Sequence, residues 1–189
     1  ARPRHVNAQA RRLNTTPAHD SPARKCNQVR GNAAAVVNYA AMEIIGQQLI
    51  PQLQQKTWNA ICDPAVLQLC IPGCESMVQT SDSEFDLTMS AKVGPVSAKF
   101  KSKITLTNVD APNSYMLLFE GQGGVAGFAK GQAEVKLLPE GDATRLEYIA
   151  KATIGGKLAQ VGSRLVDGVA KKLAEQFFTA FNNHLSKPE

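Results

Sequence analysis

Reactive side chains are few in this chain, and none of them belongs to a catalytic pattern. After residue 41 the only histidine is His184. It falls in the last turn of a predicted helix, where it is placed to interact with the C-terminal carbonyls. Since no Ser-His-Asp or Cys-His set accompanies it, nucleophilic catalysis has no candidate residues. The sequence predicts a protein that is not an enzyme.

The four cysteines do not match a metal-binding pattern. Cys62, Cys70 and Cys74 follow a C-x7-C-x3-C spacing, which differs from zinc-site spacings, and no histidine lies near them. No signal-peptide pattern precedes them, so we expect free thiols in a reducing cytoplasm. They suit the role of small buried apolar side chains, and we predict neither a metal nor a covalently bound cofactor.

Two further classes of ligand have no support in the sequence. The glycine-rich stretch 121–124 lacks the Lys-Ser/Thr pair of a phosphate-binding loop and a strand-to-helix context. The formal charge of +5 is concentrated in residues 1–41, which hold seven Lys and Arg and one acid, Asp20. Because the rest of the chain is close to neutral, we predict no nucleic-acid partner.

Residues 1–41 differ in composition from the rest of the chain. They are rich in Arg, Ala, Asn and Pro and show no helical or strand period, so we predict that they are disordered. The alternatives are an organelle transit peptide or an extension upstream of a start at Met42. We place the folded domain at residues 42–189, in which no apolar run reaches the roughly 18–20 residues of a membrane span.

Alternation of apolar and polar residues dominates the middle of the chain. Residues 85–93 alternate without exception, and residues 96–107 do so with Ser102 as the one polar residue on the apolar side. A turn at Gly94-Pro95 joins the two segments into a hairpin with one wet face, which is typical of an antiparallel sheet covered on one side. Further strands are predicted at 43–50, 75–80, 115–120, 126–138 and 144–154.

Helices are predicted after the first strand and at the end of the chain. One follows Pro51 as far as Ile61, and Asp63-Pro64 is a start signal for a short second one. Residues 157–185 form an amphipathic helix of roughly 29 residues. This order predicts an α+β helix-grip fold, in which a curved antiparallel sheet of about six to seven strands surrounds the C-terminal helix.

Three stretches carry a resemblance to a known family. They are DPAVLQLCIPGCE at 63–75, GGVAGFAKGQAEVKLLPEG at 123–141 and GGKLAQVGSRLVDGVAKKLAEQFF at 155–178. These stretches resemble the carbon monoxide dehydrogenase G-subunit (CoxG) family of the SRPBCC (START-like, helix-grip) superfamily. The resemblance extends from residue 42 to about residue 186, and the first 41 residues lie outside it.

The resemblance implies a cavity between sheet and helix that holds an apolar ligand such as a quinone or lipid. It also implies an accessory role for a molybdenum hydroxylase such as carbon monoxide dehydrogenase, and a link between that enzyme and the membrane. Many members carry an apolar anchor after the long helix, whereas this sequence stops at Glu189. We therefore expect a cytoplasmic protein that touches the inner face of the membrane transiently.

The pattern alone leaves open whether the interior is a cavity or a solid core. Small residues alternate along 127–133, and Ala159 and Gly162 face the sheet from the helix, which either leaves space or lets the backbones approach closely. Together with the resemblance, this predicts a ligand cavity in which Tyr115 and Tyr148 orient the ligand. The predicted lining residues are Leu87, Met89, Phe100, Ile104, Tyr115, Phe128, Tyr148, Gly162, Leu165, Val169 and Phe177.

A solid interior would instead fit an assembly or docking factor, and a polyketide-cyclase-like enzyme on the same fold is the third alternative. Phe178 falls on the polar face of the predicted helix, with Leu185 one heptad later beside it. We predict that this exposed pair contacts a partner protein or the membrane surface.

Overall fold

The alternating segments form one seven-stranded antiparallel sheet. The computed structural model describes residues 39–186. The strands follow the order β1-β7-β6-β5-β4-β3-β2 across the sheet, so β1 and β2 are its edges. They are β1 (Tyr39–Ile50), β2 (Cys74–Ser81), β3 (Glu84–Val93), β4 (Val96–Asp110), β5 (Ser114–Gln122), β6 (Phe128–Glu140) and β7 (Ala143–Gly155).

The helices pack on one face of this sheet. Two short ones follow β1, and the long one closes the described part of the chain. They are α1 (Gln54–Ile61), α2 (Pro64–Cys70), α3 (Lys157–Gln160) and α4 (Ser163–Leu185), with a 3-10 turn at Gly124–Ala126. This arrangement confirms the predicted α+β helix-grip fold. None of the described helices is long and apolar enough to cross a bilayer.

The start of α2 follows the predicted capping signal. The side chain of Asp63 accepts a hydrogen bond of 2.8 Å from the backbone N–H of Ala65, and Pro64 occupies the first helical position. Proline has no N–H to leave unpaired there, and the carboxylate satisfies one of the free donors of the first turn. The dipeptide thus sets where the helix begins.

The first strand begins earlier than predicted. β1 starts at Tyr39, whose Cα pairs with Gly155, and not at residue 43. Residues 39–41 therefore belong to the sheet. Residues 1–38 lie outside the described residues, and so does the prediction of disorder for them.

The prediction of one unbroken helix from residue 157 to 185 is wrong. The chain forms a single turn, α3, and then changes direction at Gly162, whose φ is +93°. That backbone conformation is open to glycine and strained for other residues, so it ends one helix and starts the next. The apolar period runs across the break because Leu158 and Val166 both enter the same core cluster.

The C-terminal end of α4 is fixed to the segment that follows β1. Phe181 is fully buried, and the side-chain amide of Gln52 donates a hydrogen bond of 2.9 Å to the Leu185 carbonyl. The Thr144 hydroxyl in turn donates to the Gln52 carbonyl at 2.7 Å. Sheet, connecting segment and helix are therefore held together at this end of the molecule.

Candidate ligand cavity

Two apolar cavities lie between the inner face of the sheet and α4. The first has a volume of about 360 Å³ and is bounded by six strands, α3 and the first half of α4. Its one polar side chain is Ser102 of β4. The lining residues include Met42, Met89, Val93, Phe100, Phe119, Ala129, Ala150, Ala152, Ile154, Leu158, Val166, Val169 and Leu173.

The second cavity has a volume of about 210 Å³ and lies toward α1 and α2. Its walls combine apolar side chains with three residues that carry a polar group, Tyr115, Tyr148 and Cys62. The apolar residues include Ile61, Leu67, Met77, Ile104, Leu117, Ala133, Val135, Leu146, Phe177 and Phe178.

The two cavities lie end to end along the strands. On β4 the inward-facing Ser102 lines the first cavity and the next inward residue, Ile104, lines the second. On β7 the same step separates Ala150 from Tyr148. Residues two apart on one strand face are about 7 Å apart. The interior therefore offers an elongated space with a wholly aliphatic and aromatic part and a part with hydroxyl groups.

Small residues create this space, and glycines serve a different purpose. Ala129 lines the first cavity and Ala133 the second, so these short side chains leave volume unfilled. At Gly131 a Cβ atom would lie 2.0 Å from the Lys151 carbonyl oxygen, and at Gly127 one would lie 2.0 Å from that of Gly155. The glycines thus allow close backbone approach. The sequence left open whether the small residues leave space or let the backbones approach closely. The alanines leave space and the glycines allow close approach.

Tyr115 is the most enclosed polar group of the second cavity. Its side chain is only 6% exposed, and its ring packs edge-on against Trp58 with 5.7 Å between ring centroids. Its hydroxyl has no hydrogen-bond partner among the described residues. Burial, with a smaller contribution from Cys62, raises the pKa of Tyr115 far above the ordinary tyrosine range. The hydroxyl therefore stays protonated and available as a donor.

Tyr148 lies between the sheet and α4. Its ring stacks on Phe178 with 5.4 Å between centroids, and its hydroxyl lies over Gly46, where a Cβ atom would come within 2.4 Å. Burial, and then the charge of Glu175, raise the pKa of Tyr148. Burial likewise raises the pKa of Cys62. The polar groups of the second cavity are thus neutral at ordinary pH.

The structure brings together seven of the eleven predicted lining residues. Met89, Phe100 and Val169 line the first cavity, whereas Ile104, Tyr115, Tyr148 and Phe177 line the second. Whether they bind a ligand stays a prediction.

The other four lie outside both cavities. Leu87 is buried in a core cluster with Met77 and Phe85, which line the second cavity, but does not line it itself, and Phe128 packs edge-on against Tyr39. Gly162 lies at the break before α4. Leu165 is 40% exposed, and its side chain lies beside Gly94 of the β3–β4 turn and not on a cavity wall.

The predicted exposure of Phe178 and Leu185 is also wrong. They are 8% and 6% exposed, and Phe178 lines the second cavity. Together with Phe181 they follow an i, i+3, i+7 spacing, which places them on one buried face of α4. The helical wheel misplaces this face because it is centred on the apolar residues of the first half of α4, whereas Phe178 is buried by its contact with Tyr148 of the sheet. The predicted contact of this pair with a partner protein or the membrane required both side chains to be exposed, and they are buried.

Several lining residues could not be identified from the sequence pattern. Ala150 and Ala152 of β7 were missed, although they repeat the small-residue signal of the paired strand β6. Ile44 and Met42 line the first cavity from β1, where the even-numbered residues face inward. The alternation of β1 was the available signal, and it was hidden by the two adjacent isoleucines 44 and 45.

The cavity walls suit binding better than acid–base chemistry. Within the described residues, the linings of both cavities contain no Asp, Glu, His, Lys or Arg. The described residues also hold no group of three or more His, Cys, Asp or Glu side chains that would bind a metal ion. What remains is an apolar enclosure with a few neutral hydrogen-bonding groups, which is the usual character of a small-molecule binding site.

Comparison with known families matches residues 46–186 to the family described as the carbon monoxide dehydrogenase G-subunit (CoxG). The match covers most of the chain and includes almost all residues that line the two cavities. No curated protein matches the chain.

Solved structures share the fold. A conserved protein from Geobacillus kaustophilus is 29% identical, with a TM-score of 0.73 over 77% of this chain and 95% of that one. A START superfamily protein from Mycobacterium smegmatis is 13% identical, with a TM-score of 0.58 over 75% and 95%. The Zhui aromatase/cyclase from Streptomyces sp. R1128 is 10% identical, with a TM-score of 0.54 over 77% and 93%. The last two show similarity of fold alone.

Proposed function

The chain belongs to the carbon monoxide dehydrogenase CoxG family, and from this we propose that it is a non-enzymatic accessory protein that carries an apolar ligand. The ligand is a quinone or a similar lipid, held in the two cavities between sheet and α4. The carrier serves a molybdenum hydroxylase of the carbon monoxide dehydrogenase type and links that enzyme to the membrane. The proposal rests on the family membership and on the interior described above.

The observation that carries the proposal is the unfilled apolar interior. The first cavity alone has about 360 Å³, within the range of about 300–1,000 Å³ that small-molecule sites occupy. Protein cores are normally packed without voids larger than a water molecule. A space of this size is therefore an argument against the alternative of a docking factor with a solid core.

The distribution of polar groups favours a ligand with a polar head and an apolar tail. The Tyr115 hydroxyl is a protonated, unpartnered donor in the second cavity, and a quinone carbonyl is a matching acceptor. The first cavity offers almost only apolar walls to an isoprenoid chain. We assign the head to the second cavity and the tail to the first.

The cavity chemistry also weighs against a cyclase-like enzyme. Cyclisation needs groups that move protons near neutral pH. The titratable groups on the cavity walls are two tyrosines and Cys62, and burial raises the pKa of each of them. They hold their protons in the pH range where such catalysis would operate.

Organic extraction of the purified full chain, followed by mass spectrometry, tests the proposal. We expect an isoprenoid quinone or similar lipid in the wild type and in Ala41→Leu, which adds the same bulk to an exposed position of β1. The variant Ala150→Leu, which fills the first cavity, should have lost most of it. Equal ligand content in the two variants, or no ligand in the wild type after reconstitution with quinone, would refute carriage.

A further inference from the structure

Three connecting segments meet at one end of the sheet, which we name the loop end. It consists of three connections together with the strand or helix ends beside them: residues 92–96 at the β3–β4 turn, residues 122–128 from β5 to β6, and residues 155–165 from β7 into α4. Their contacts are close, since a Cβ atom at Gly127 would lie 2.0 Å from the Gly155 carbonyl oxygen. A Cβ atom at Gly94 would likewise lie 2.5 Å from the Leu165 side chain. The loop end is therefore one continuous surface.

Large apolar side chains project from the loop end into solvent. Val125 is 85% exposed, which is the highest value among the large apolar residues of the described chain, and Leu165 is 40% exposed. The neighbouring Ala126 is only 3% exposed and packs in the core cluster with Phe100 and Leu158. The buried Ala126 therefore fixes this loop to the core, whereas the side chain of Val125 points into solvent.

The loop end carries positive charge only. Its three segments contain Lys92, Lys157 and Arg164, all exposed, and no Asp or Glu. None of the three cations forms an ion pair with another described residue. An anionic surface would meet no repulsion from acids in these segments.

The opposite end of the sheet has the reverse composition. Its hairpin turns and the strand ends beside them, residues 81–84, 108–114 and 139–144, contain five acids and no Lys or Arg. Two of these acids form ion pairs with cations of neighbouring strands, Glu84 with Lys103 and Glu140 with Arg145. The described domain therefore has a basic end and an acidic end, although it is close to neutral as a whole. A charge distribution of this kind orients a protein at a charged surface. The acids are Asp82, Glu84, Asp110, Glu140 and Asp142.

The loop end also covers one end of the first cavity. Phe100, Leu158 and Val166 line that cavity and pack with Ala126 in one core cluster. A molecule entering or leaving by this end would pass between segments that contain Gly124, Gly127 and Gly162, all at positive φ.

We propose that the loop end docks on the surface of an anionic lipid bilayer, with Val125 and Leu165 entering the headgroup region and the three cations facing the lipid charges. This inference rests on the proposed carrier function, because it names the place where the carrier meets the membrane. Exposed aliphatic side chains surrounded by cations are the features that hold peripheral proteins at such interfaces. The docked orientation places the end of the first cavity against the lipid.

Sedimentation with vesicles of phosphatidylcholine containing phosphatidylglycerol tests the docking surface on the full chain. Val125→Asp should lower partitioning about fivefold or more, which is the effect of roughly 1 kcal/mol at the interface. Leu53→Asp is the matched control, because it makes the same charge change at an exposed residue of the opposite end. Leu53 stands at the start of α1 without a side-chain cap, where an aspartate favours folding. The control should bind like the wild type.

A second readout separates docking from attraction by the basic residues 1–38. In Val125→Trp, brominated lipid should quench the new tryptophan, whereas the native Trp58, only 9% exposed, should be unaffected in the wild type. Equal binding of the two Asp variants, or vesicle binding without quenching at position 125, would overturn the proposal. So would absence of binding in the wild type. The vesicles contain no quinone, so these results are independent of whether the cavity carries one.

Discussion

Filling the first cavity at Ala150 is the perturbation that best distinguishes an unfilled interior from a solid one. Ala150 lies on β7 opposite Ala133 of β6 and Ile44 of β1, at the junction of the two cavities. Leucine adds roughly three methylene groups, each stabilising the fold by about 0.8 kcal/mol when buried. If the space is empty, Ala150→Leu should stabilise the ligand-free protein, by as much as about 2 kcal/mol.

A solid core predicts the opposite sign. Extra methylenes forced into a packed interior destabilise by about 1–3 kcal/mol. Urea denaturation of the ligand-free wild type and variant measures the difference, provided that the m-values agree. Ala41→Leu serves as the control for the change of residue type in a strand. A loss of about 1 kcal/mol or more in Ala150→Leu, with a normal control, would refute the reasoning from the cavity.

Three further outcomes follow from the structure. Tyr115→Phe should weaken quinone binding about fivefold in a binding titration, because the ligand loses one hydrogen bond of about 1 kcal/mol. An unchanged affinity would argue against placing the quinone head in the second cavity. Phe178→Ala should lower the unfolding free energy by about 3–5 kcal/mol, since its ring is buried against Tyr148, whereas an exposed ring would cost almost nothing. The folded state raises the pKa of Tyr115 above the ordinary value of 10.0, so the folded protein binds more protons and stability should fall as the pH rises above about 10. In Tyr115→Phe that fall should be smaller, and an identical pH profile in a denaturation series would contradict the buried position.

The sheet could be predicted from the sequence because its chemistry is local. Within 85–93 and 96–107 the apolar residues are the ones that face the core and the polar residues face solvent, with Ser102 as the exception. Gly94-Pro95 marks the turn between the two strands. Asp63-Pro64 is similarly self-contained, since the cap and the first helical residue are neighbours. The strands, the turn and the start of α2 depend on neighbouring residues, and the sequence therefore predicts them with little error.

The break at Gly162 could not be found by the same means. Apolar periodicity reports which face of a segment is buried, and both α3 and α4 bury theirs in the same core. Only the backbone conformation of Gly162 distinguishes one helix from two. Phe178 was misplaced for a related reason, because its burial depends on Tyr148, a residue thirty positions away in sequence.

The cavity is only partly visible in the sequence. Small residues at 127–133 indicate either space or close backbone contact, and the choice depends on what lies opposite each of them. Ala133 lines an open volume, whereas Gly131 touches the backbone of β7. A sequence pattern does not show what lies opposite a residue, so the lining residues on α3 and β1 and the alanines of β7 were not predicted. Tyr148 of β7, Met89 of β3 and Phe100 and Ile104 of β4 were predicted and do line a cavity.

The fluorescence of Trp58 gives the most direct test of the central claim, that the second cavity holds the head of a quinone. Trp58 is the one tryptophan of the chain, and its ring packs edge-on against Tyr115 at 5.7 Å. Titration of the ligand-free full chain with a short-chain quinone should quench this emission with a saturable, one-to-one dependence, and Ala150→Leu should shift the midpoint upward relative to Ala41→Leu. Quenching that rises linearly without saturation, and equally in both variants, would contradict a quinone bound in the cavity.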